Sequence, residues 1–262
     1  MTVLIGIILT YNESAHITDC IESLRFCDEI VVFDSFSTDD TMSLAMWAGV
    51  RMMQHPFSNY PTQRNAALEA VSDVADWVLF VDADERVSPQ LAAEVREVIE
   101  KPGYAAWQIP RHNYIFGKLT KGAGWYPDYQ TRLLRVGNAH YDPERTVHET
   151  AVLDGTLGST THPFIHYNYR DLAQFLEKQR RYTAYDAQML YAQGVSAKLK
   201  QLISMPLRHF WWRFITLEGY RDGLHGLRLS LLMAWNEYRK YRQLAHLWAE
   251  HPAPPTDHMT NS

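Results

Sequence analysis

The sequence predicts an α/β fold: a mainly parallel central sheet with helices on both faces, followed by a helical C-terminal extension. Three observations carry this expectation. Short apolar runs alternate four times with segments of helical periodicity, joined by short connections. One run, Trp77-Val78-Leu79-Phe80-Val81, is apolar throughout and ends in Asp82-Ala83-Asp84-Glu85. That is the pattern of a strand buried on both faces whose tip meets solvent. From Asp171 onward the strand signals stop and helical periodicity takes over.

In chain order, Val3 to Leu9 reads as the first strand. A helix follows with Ile17, Ile21 and Leu24 on one face and Ser14 or Asn12 available as its cap. Glu29 to Phe33 is a second strand ending in Asp34, and a helix stopping near Gly49 comes next. Val50 to Gln54 is a short third strand, Gln63 to Leu68 lie in a helix, and the buried run ends at Asp82. Ser88-Pro89 supplies a cap and a first-turn proline for a helix over Gln90 to Glu100. Residues 106–109 and 131–135 read as strands around a Gly- and aromatic-rich loop, and 164–167 as another short strand. A helical region from Ser196 to Trp248 is expected to break near Met205-Pro206 and at Gly219, Gly223 and Gly226. These readings divide the chain into a catalytic-type domain over 1–170, with a ligand-binding half at 1–103 and a second half at 104–170. A helical extension over 171–250 and a disordered tail over 251–262 complete it.

With 262 residues, 46% of them hydrophobic and 21% charged, the chain has an ordinary globular composition. A net charge of −5 argues against a general nucleic-acid binder. The charge is uneven, however: between Lys198 and Arg242 nine basic residues meet only Glu218, Asp222 and Glu237. Phe210-Trp211-Trp212-Arg213-Phe214 lies inside that stretch, and aromatics beside Lys and Arg suit an anionic membrane surface. Cys20 and Cys27 make neither a disulfide framework nor a zinc site and are expected to be reduced. The N-terminus lacks a basic leader region and no apolar run reaches membrane-spanning length, so a cytoplasmic protein, attached at most to a membrane surface, is expected.

The strand ends carry the chemistry. Thr10-Tyr11-Asn12-Glu13, Asp34 and Asp82-Ala83-Asp84 should open on one rim of a parallel sheet, where such sheets bind ligands. In extended geometry Asp82 and Asp84 leave the same face. Two hard oxygen ligands on one side suit Mg²⁺ or Mn²⁺ shared with a diphosphate. Glu85 is expected to be a solvated neighbour. Neither a G-x-G-x-x-G nor a phosphate-loop G-x-x-x-x-G-K follows the first strand, which argues against dehydrogenases and phosphate-loop enzymes.

The ordered set Thr10-Tyr11-Asn12-Glu13, Asp34-Ser35-Phe36-Ser37-Thr38-Asp39, Gln63-Arg64-Asn65-Ala66-Ala67 and Asp82-Ala83-Asp84 resembles glycosyltransferase family 2. More narrowly, Val147-His148-Glu149 and the basic, aromatic C-terminal segment resemble the bacterial lipopolysaccharide core β-glucosyltransferases. The resemblance implies a GT-A type fold and an inverting transfer from a nucleotide-diphospho-sugar, with UDP-glucose the leading donor. The acceptor implied is a glycan or glycolipid. On the donor side it implies that Tyr11 packs on the base and that Thr10, Asn12, Glu13 and Ala83 line the donor. It further implies that Asp34 receives the base imide, that Arg64 neutralises phosphate or holds the acids, and that Asp84 with Asp82 holds the metal. Glu149 is the expected base, with His148 orienting it and Asp128 in reserve. On the acceptor side, Trp125, Tyr126 and Tyr129 are candidates for stacking on a sugar. Arg132 and Arg135, read as sharing a strand face, are candidates for acceptor phosphate. The competing readings are a non-catalytic nucleotide-sugar-binding protein and a family 2 transferase with a different glycan or protein acceptor. A nucleotidyltransferase would need a Gly-rich basic loop after the first strand, and Thr10-Tyr11-Asn12-Glu13 is not one.

Overall fold

The computed structural model describes residues 1–143 and 151–251. Val147, His148 and Glu149, and the tail from residue 252, lie outside the described residues. The first half alternates as expected. It contains β1 (Leu4–Thr10), α1 (Ile17–Ser23), β2 (Glu29–Asp34), α2 (Thr41–Trp47), β3 (Arg51–Gln54), α3 (Tyr60–Glu69), β4 (Trp77–Asp82), β5 (Glu85–Arg86) and α4 (Pro89–Val98). Then come β6 (Tyr104–Ile115), β7 (Lys118–Thr120), β8 (Tyr129–Arg135), β9 (Ala139–Tyr141), β10 (Ala151–Leu153), β11 (Thr156–Ser159) and β12 (Phe164–Tyr169). The C-terminal helices are α5 (Leu172–Ala192), α6 (Gln201–Trp211) and α7 (Gly223–Glu250).

The main sheet runs β3-β2-β1-β4-β8-β6-β12-β5. β1 pairs in parallel with both β2 and β4, and β8 adds antiparallel to β4. The parallel strands alternate between two buried faces. Leu4, Ile8, Trp77, Leu79 and Val81 pack with α1 and α4, through Ile21, Leu24, Leu91 and Val95. Ile5, Ile7, Val78 and Phe80 pack with Ala67, Leu68 and Val71 on the α3 side. This period of two with both faces covered is why the strands read as unbroken apolar runs. Cys20 and Cys27 are free thiols, and burial pushes Cys27 up to about 12, as expected of inert packing residues.

The chain divides into two compact units, 1–112 with 127–168, and 113–126 with 169–262. The second unit therefore takes a hairpin from the middle of the sequence. Its core joins Ile115, Tyr169, Phe175 and Leu229, with Phe116, Trp125, Leu232 and Met233 packed around them. A second cluster, Ala187, Tyr191, Tyr241 and Leu244, zips α5 to α7.

Several local expectations change. Ser88 caps α4 with Pro89 in its first turn as expected, accepting from the Leu91 N–H at 3.2 Å. The residue capping α1, however, is His16, with no side-chain bond. Pro206 does not interrupt α6; it removes one ladder bond while the helix continues to Trp211. The real break comes after a π-turn over Trp212–Thr216, where Glu218 adopts φ 54° and a 3₁₀ turn over Gly219–Asp222 redirects the chain into α7. Gly226 does not break α7 either. It lets the helix press on that turn, because a Cβ there would lie 1.9 Å from the Gly219 carbonyl oxygen. Within the aromatic stretch, Trp211 and Trp212 are exposed, but Arg213 turns inward. Its Nη1 donates to the Ala123 carbonyl at 2.6 Å and its guanidinium lies over the Trp125 ring.

Candidate active site

The register of the parallel strands decides what meets at the rim. Thr10 pairs with Asp34, and Leu9 pairs with Asp82, so the three strand ends finish level with one another. The loops that follow are sewn together. The Asn12 N–H donates to Ser37 Oγ at 2.8 Å, the Thr38 N–H to Asn12 Oδ1 at 2.8 Å, and the Glu13 N–H to Thr41 Oγ1 at 2.8 Å. Asp39 accepts from the Ser14 N–H at 3.1 Å and from the Thr41 N–H at 3.0 Å. Burial alone would raise the Asp39 carboxyl, but these bonds outweigh it and hold it down to about 2.

Asp34 is fully buried. Its Oδ1 accepts from the hydroxyls of Thr10, at 3.0 Å, and Ser37; its Oδ2 accepts from the Ser37 N–H at 2.8 Å and Gln54 Nε2 at 3.1 Å. A contact from Asp34 to a base would require one of these donors to give way. The exposed groups on this rim are instead Tyr11, 59% exposed, and Phe36, 52% exposed. Asn12 and Phe36 both adopt left-handed backbone, at φ 57° and 60°. Asn tolerates that region, whereas for an aromatic residue it is a strained conformation of the kind found at ligand sites.

α3 explains the Gln63-Arg64-Asn65 run. Gln63 reaches Ser35 Oγ at 3.1 Å and the His55 ring at 2.9 Å. Asn65 clasps the backbone of Tyr141 in β9, donating at 2.7 Å and accepting at 2.8 Å. Arg64, buried over the rings of Phe80 and Tyr141, places Nη2 3.6 Å from Asp82 Oδ1. Asp82 shares the strand face of Val78 and Phe80, which is the face α3 covers.

From Asp82 a chain of alternating charges crosses the first unit. Arg132 Nη2 bonds Asp82 Oδ2 and lies 3.8 Å from Glu85 Oε1. Arg111 Nη1 sits 3.4 Å from the same Glu85 oxygen, and Arg111 Nη2 and Nε reach Asp128 Oδ2 at 2.7 and 2.8 Å. Burial would raise the Asp82 carboxyl, but Arg132, Arg64, Arg111 and His166 together hold it well below the usual carboxylate range. Burial would lower the Arg132 guanidinium, and Asp82 and Glu85 reverse that.

Glu85 is therefore not a solvated neighbour. It is fully buried and also accepts from the Asp82 N–H at 3.0 Å. Nor do Arg132 and Arg135 share a face, because three residues apart on a strand is half a period out of phase. Arg132 is buried in the charge chain and Arg135 is exposed. Asp128 is held by Arg111 on one oxygen and by Gln130 on the other, at 2.9 Å. Trp125 packs in the second unit, edge-on to Tyr169 at 6.0 Å, while Tyr126 and Tyr129 are 36% and 44% exposed.

The extended geometry expected from Asp82 through Asp84 stops early. β4 ends at Asp82, and residues 83 and 84 form a turn in which Ala83 is buried. Asp82 is turned to its arginines, whereas Asp84 Oδ2 lies 3.5 Å from His166 Nε2. His166, on β12, is a residue that the sequence reading passed over. Its only local signal is that it falls in phase with buried Phe164 while Tyr167 is exposed. Carboxylate oxygen and imidazole nitrogen are together a suitable donor pair for a divalent cation. Among the described residues no group of three or more His, Cys, Asp or Glu forms a closed metal cage.

The family model described as Glycosyl transferase family 2 matches residues 7–150. Over 261 residues the chain is 30% identical to the lipopolysaccharide core biosynthesis glycosyltransferase LpsC of Rhizobium meliloti, covering 89% of this chain and 91% of that one. An uncharacterized glycosyltransferase of Rickettsia felis is 26% identical over 258 residues, covering 90% of this chain and 87% of that one. Among solved structures, glucosyl-3-phosphoglycerate synthase from Mycobacterium tuberculosis, in complex with Mn²⁺, UDP and glucosyl-3-phosphoglycerate, superposes with a TM-score of 0.37. It is 25% identical over 42% of this chain and 44% of that one. The chain, with its mixed sheet flanked by helices and its helical C-terminal extension, belongs to glycosyl transferase family 2.

Proposed function

We propose that this chain is an inverting, metal-dependent transferase that moves glucose from UDP-glucose to a hydroxyl of a lipopolysaccharide-core or other lipid-linked glycan. We place that acceptor at the cytoplasmic face of a bacterial membrane. The observation that carries the reading is the level finish of β1, β2 and β4, which gathers Tyr11, Asn12, Asp82 and Asp84 on one rim with His166 against Asp84. The lipopolysaccharide assignment draws support from the name of the Rhizobium relative.

In this reading Tyr11 and Phe36 offer aromatic faces to the base, and the sewn loops of Asn12, Ser37 and Thr38 fix the rim beneath it. Asp34 acts through the shape of that loop. Asp84 and His166 fit a divalent cation, while Asp82 is committed to Arg64 and Arg132. When bound, Mg²⁺ or Mn²⁺ offsets the charge that develops on the departing diphosphate. Glu149 takes the proton of the acceptor hydroxyl as the new bond to the anomeric carbon forms and the bond to phosphate breaks on the opposite face. The nucleoside diphosphate leaves with the bonding electrons, and no covalent enzyme intermediate is needed.

The test is thermal stabilisation by UDP-glucose with Mn²⁺ or with EDTA, alongside transfer to lipopolysaccharide-core glycolipid. Wild type should be stabilised more strongly with the cation. Asp84→Asn should lose that increment and EDTA-sensitive transfer while melting like wild type when alone. Cation-dependent transfer at the wild-type level in Asp84→Asn would remove the role assigned to this carboxylate.

A further inference from the structure

The second unit carries an apolar face that none of its own elements covers. On α6, Ile203, Leu207 and Trp211 recur every four residues and are 69%, 64% and 63% exposed. Leu199 before the helix, 86% exposed, and Ile215 in the π-turn, 38% exposed, continue the same spacing. No residue of α6 is buried, although the helix is amphipathic in sequence. One position on from each member of this column runs a second exposed column: Lys200, Ser204, Arg208 and Trp212. The column from Leu199 to Ile215 is about 24 Å long at the helical rise.

An exposed column of Leu, Ile and Trp in water requires a partner. We propose that this face of α6 docks flat on an anionic lipid bilayer, with Ile203, Leu207 and Trp211 entering the headgroup–acyl boundary and Lys200 and Arg208 lying on the phosphates. Charge selects this occupant. The sequence contains no Asp or Glu between Asp186 and Glu218, while it carries Lys198, Lys200, Arg208 and Arg213 there. A second copy seated face to face would set Lys200 and Arg208 near their own counterparts with no acid from this segment to offset them. An anionic surface meets the same charges favourably, each basic residue near it raising binding about fivefold. Trp211 and Trp212 suit the headgroup level, where an amphipathic ring has one wet edge. Arg213 takes no part, since it is turned to Ala123 and Trp125.

Among the described residues no helix is long and apolar enough to cross a membrane, so attachment through these helices would be interfacial. The proposal rests on the reading of a lipid-linked acceptor as its reason for a membrane. Vesicle binding is measured without donor or acceptor, so that the two can fail separately.

The experiment is cosedimentation of the full chain with vesicles of phosphatidylcholine alone and of phosphatidylcholine mixed with phosphatidylglycerol. Two double variants on exposed positions accompany wild type: Ile203→Glu with Leu207→Glu, and Lys200→Glu with Arg208→Glu. Melting curves verify that each is folded. Wild type is expected to favour the anionic vesicles, and to release as salt rises from about 0.1 M to about 1 M and the screening length falls from about 10 Å to about 3 Å. The apolar double variant should lose binding about tenfold or more, and the basic double variant should lose the preference for anionic lipid. Wild type that sediments with neither vesicle, or whose recovery neither variant changes, overturns the proposal. So does an apolar double variant that converts a dimer to a monomer with vesicle binding intact, since the face would then join copies of this chain.

Discussion

Arg132 is the residue on which the rim's electrostatics turn. It is only 5% exposed and serves two carboxylates, Asp82 and Glu85, the second of which is wholly buried. Arg132→Met keeps an unbranched apolar stem but removes the guanidinium, leaving Asp82 to Arg64 and Glu85 to Arg111. Because Asp82 is about one-third exposed, the loss belongs near the low end for a broken buried pair, about 2–3 kcal/mol, read as a lower denaturation midpoint at neutral pH. The sign with pH follows from the depressed Asp82 carboxyl. A group whose folded pKa lies below its unfolded value stabilises the fold above the unfolded value, near 3.8, and loses that contribution as pH falls. The variant should therefore differ most from wild type at neutral pH and converge with it in acid. A constant offset across that range would separate Arg132 from Asp82. If Glu149 is the proton acceptor, as proposed, Glu149→Gln should preserve donor-induced stabilisation and cut turnover by about a hundred- to ten-thousand-fold, measured in single-turnover transfer. Asp128 is a weaker choice, because an ion-paired carboxylate is a poor base and Arg111 already holds it. Less than a tenfold loss in Glu149→Gln would return the role to Asp128 or another group. Most side chains of the site were legible as letters but not as partnerships. Asp82 and Arg64 are visible in the motif and Arg132 was read as an acceptor-side candidate, whereas its pairing with Asp82 and Glu85, and the approach of Arg111 and His166, come from strands distant in sequence.

At the level of elements, the parallel half was legible because β1, β2 and β4 are buried on both faces and helices such as α4 begin with recognisable punctuation. Ser88-Pro89 opens α4, and Asp171 accepts from the Gln174 N–H at 2.9 Å to open α5. Of the C-terminal breaks, those at Gly219 and Gly223 were legible and those at Pro206 and Gly226 were not, since Pro and Gly signal backbone preference while packing decides the outcome. Gly226 illustrates the point. It sits inside α7, where an alanine would ordinarily favour the helix by about 1 kcal/mol. Here Gly226→Ala drives a methyl into the Gly219 carbonyl, so backbone must move on both elements. The expected result is a fall in melting temperature, or loss of soluble protein. Gly137→Ala on a loop of the first unit is the control: it has a positive φ of 82° but open space around the added carbon, and should cost about 1 kcal/mol. Equal melting of the two variants would show that the α7 contact yields easily.

For the whole molecule, the division into units matters more than the position of any one boundary. The sequence pattern changes at 171 and invites a cut there, but the second unit also owns the hairpin at 113–126. A chain ending at Asn168 keeps Ile115, Phe116 and Trp125 while losing Phe175 and Leu229, against which they pack. That fragment should elute as aggregate in size-exclusion chromatography even though its parallel sheet is intact. A monomeric fragment with a cooperative melt would show the hairpin's core to be dispensable. The same arrangement also has a consequence in time. A ribosome makes the hairpin early, and Leu229 follows about 110 residues after Ile115. At about 5–20 residues per second, the nascent chain would carry an unfinished, greasy loop for roughly 5–20 s after its neighbours in sequence could fold. During synthesis this hairpin, rather than the rim of the parallel strands, is where chaperones and proteases would first find the protein.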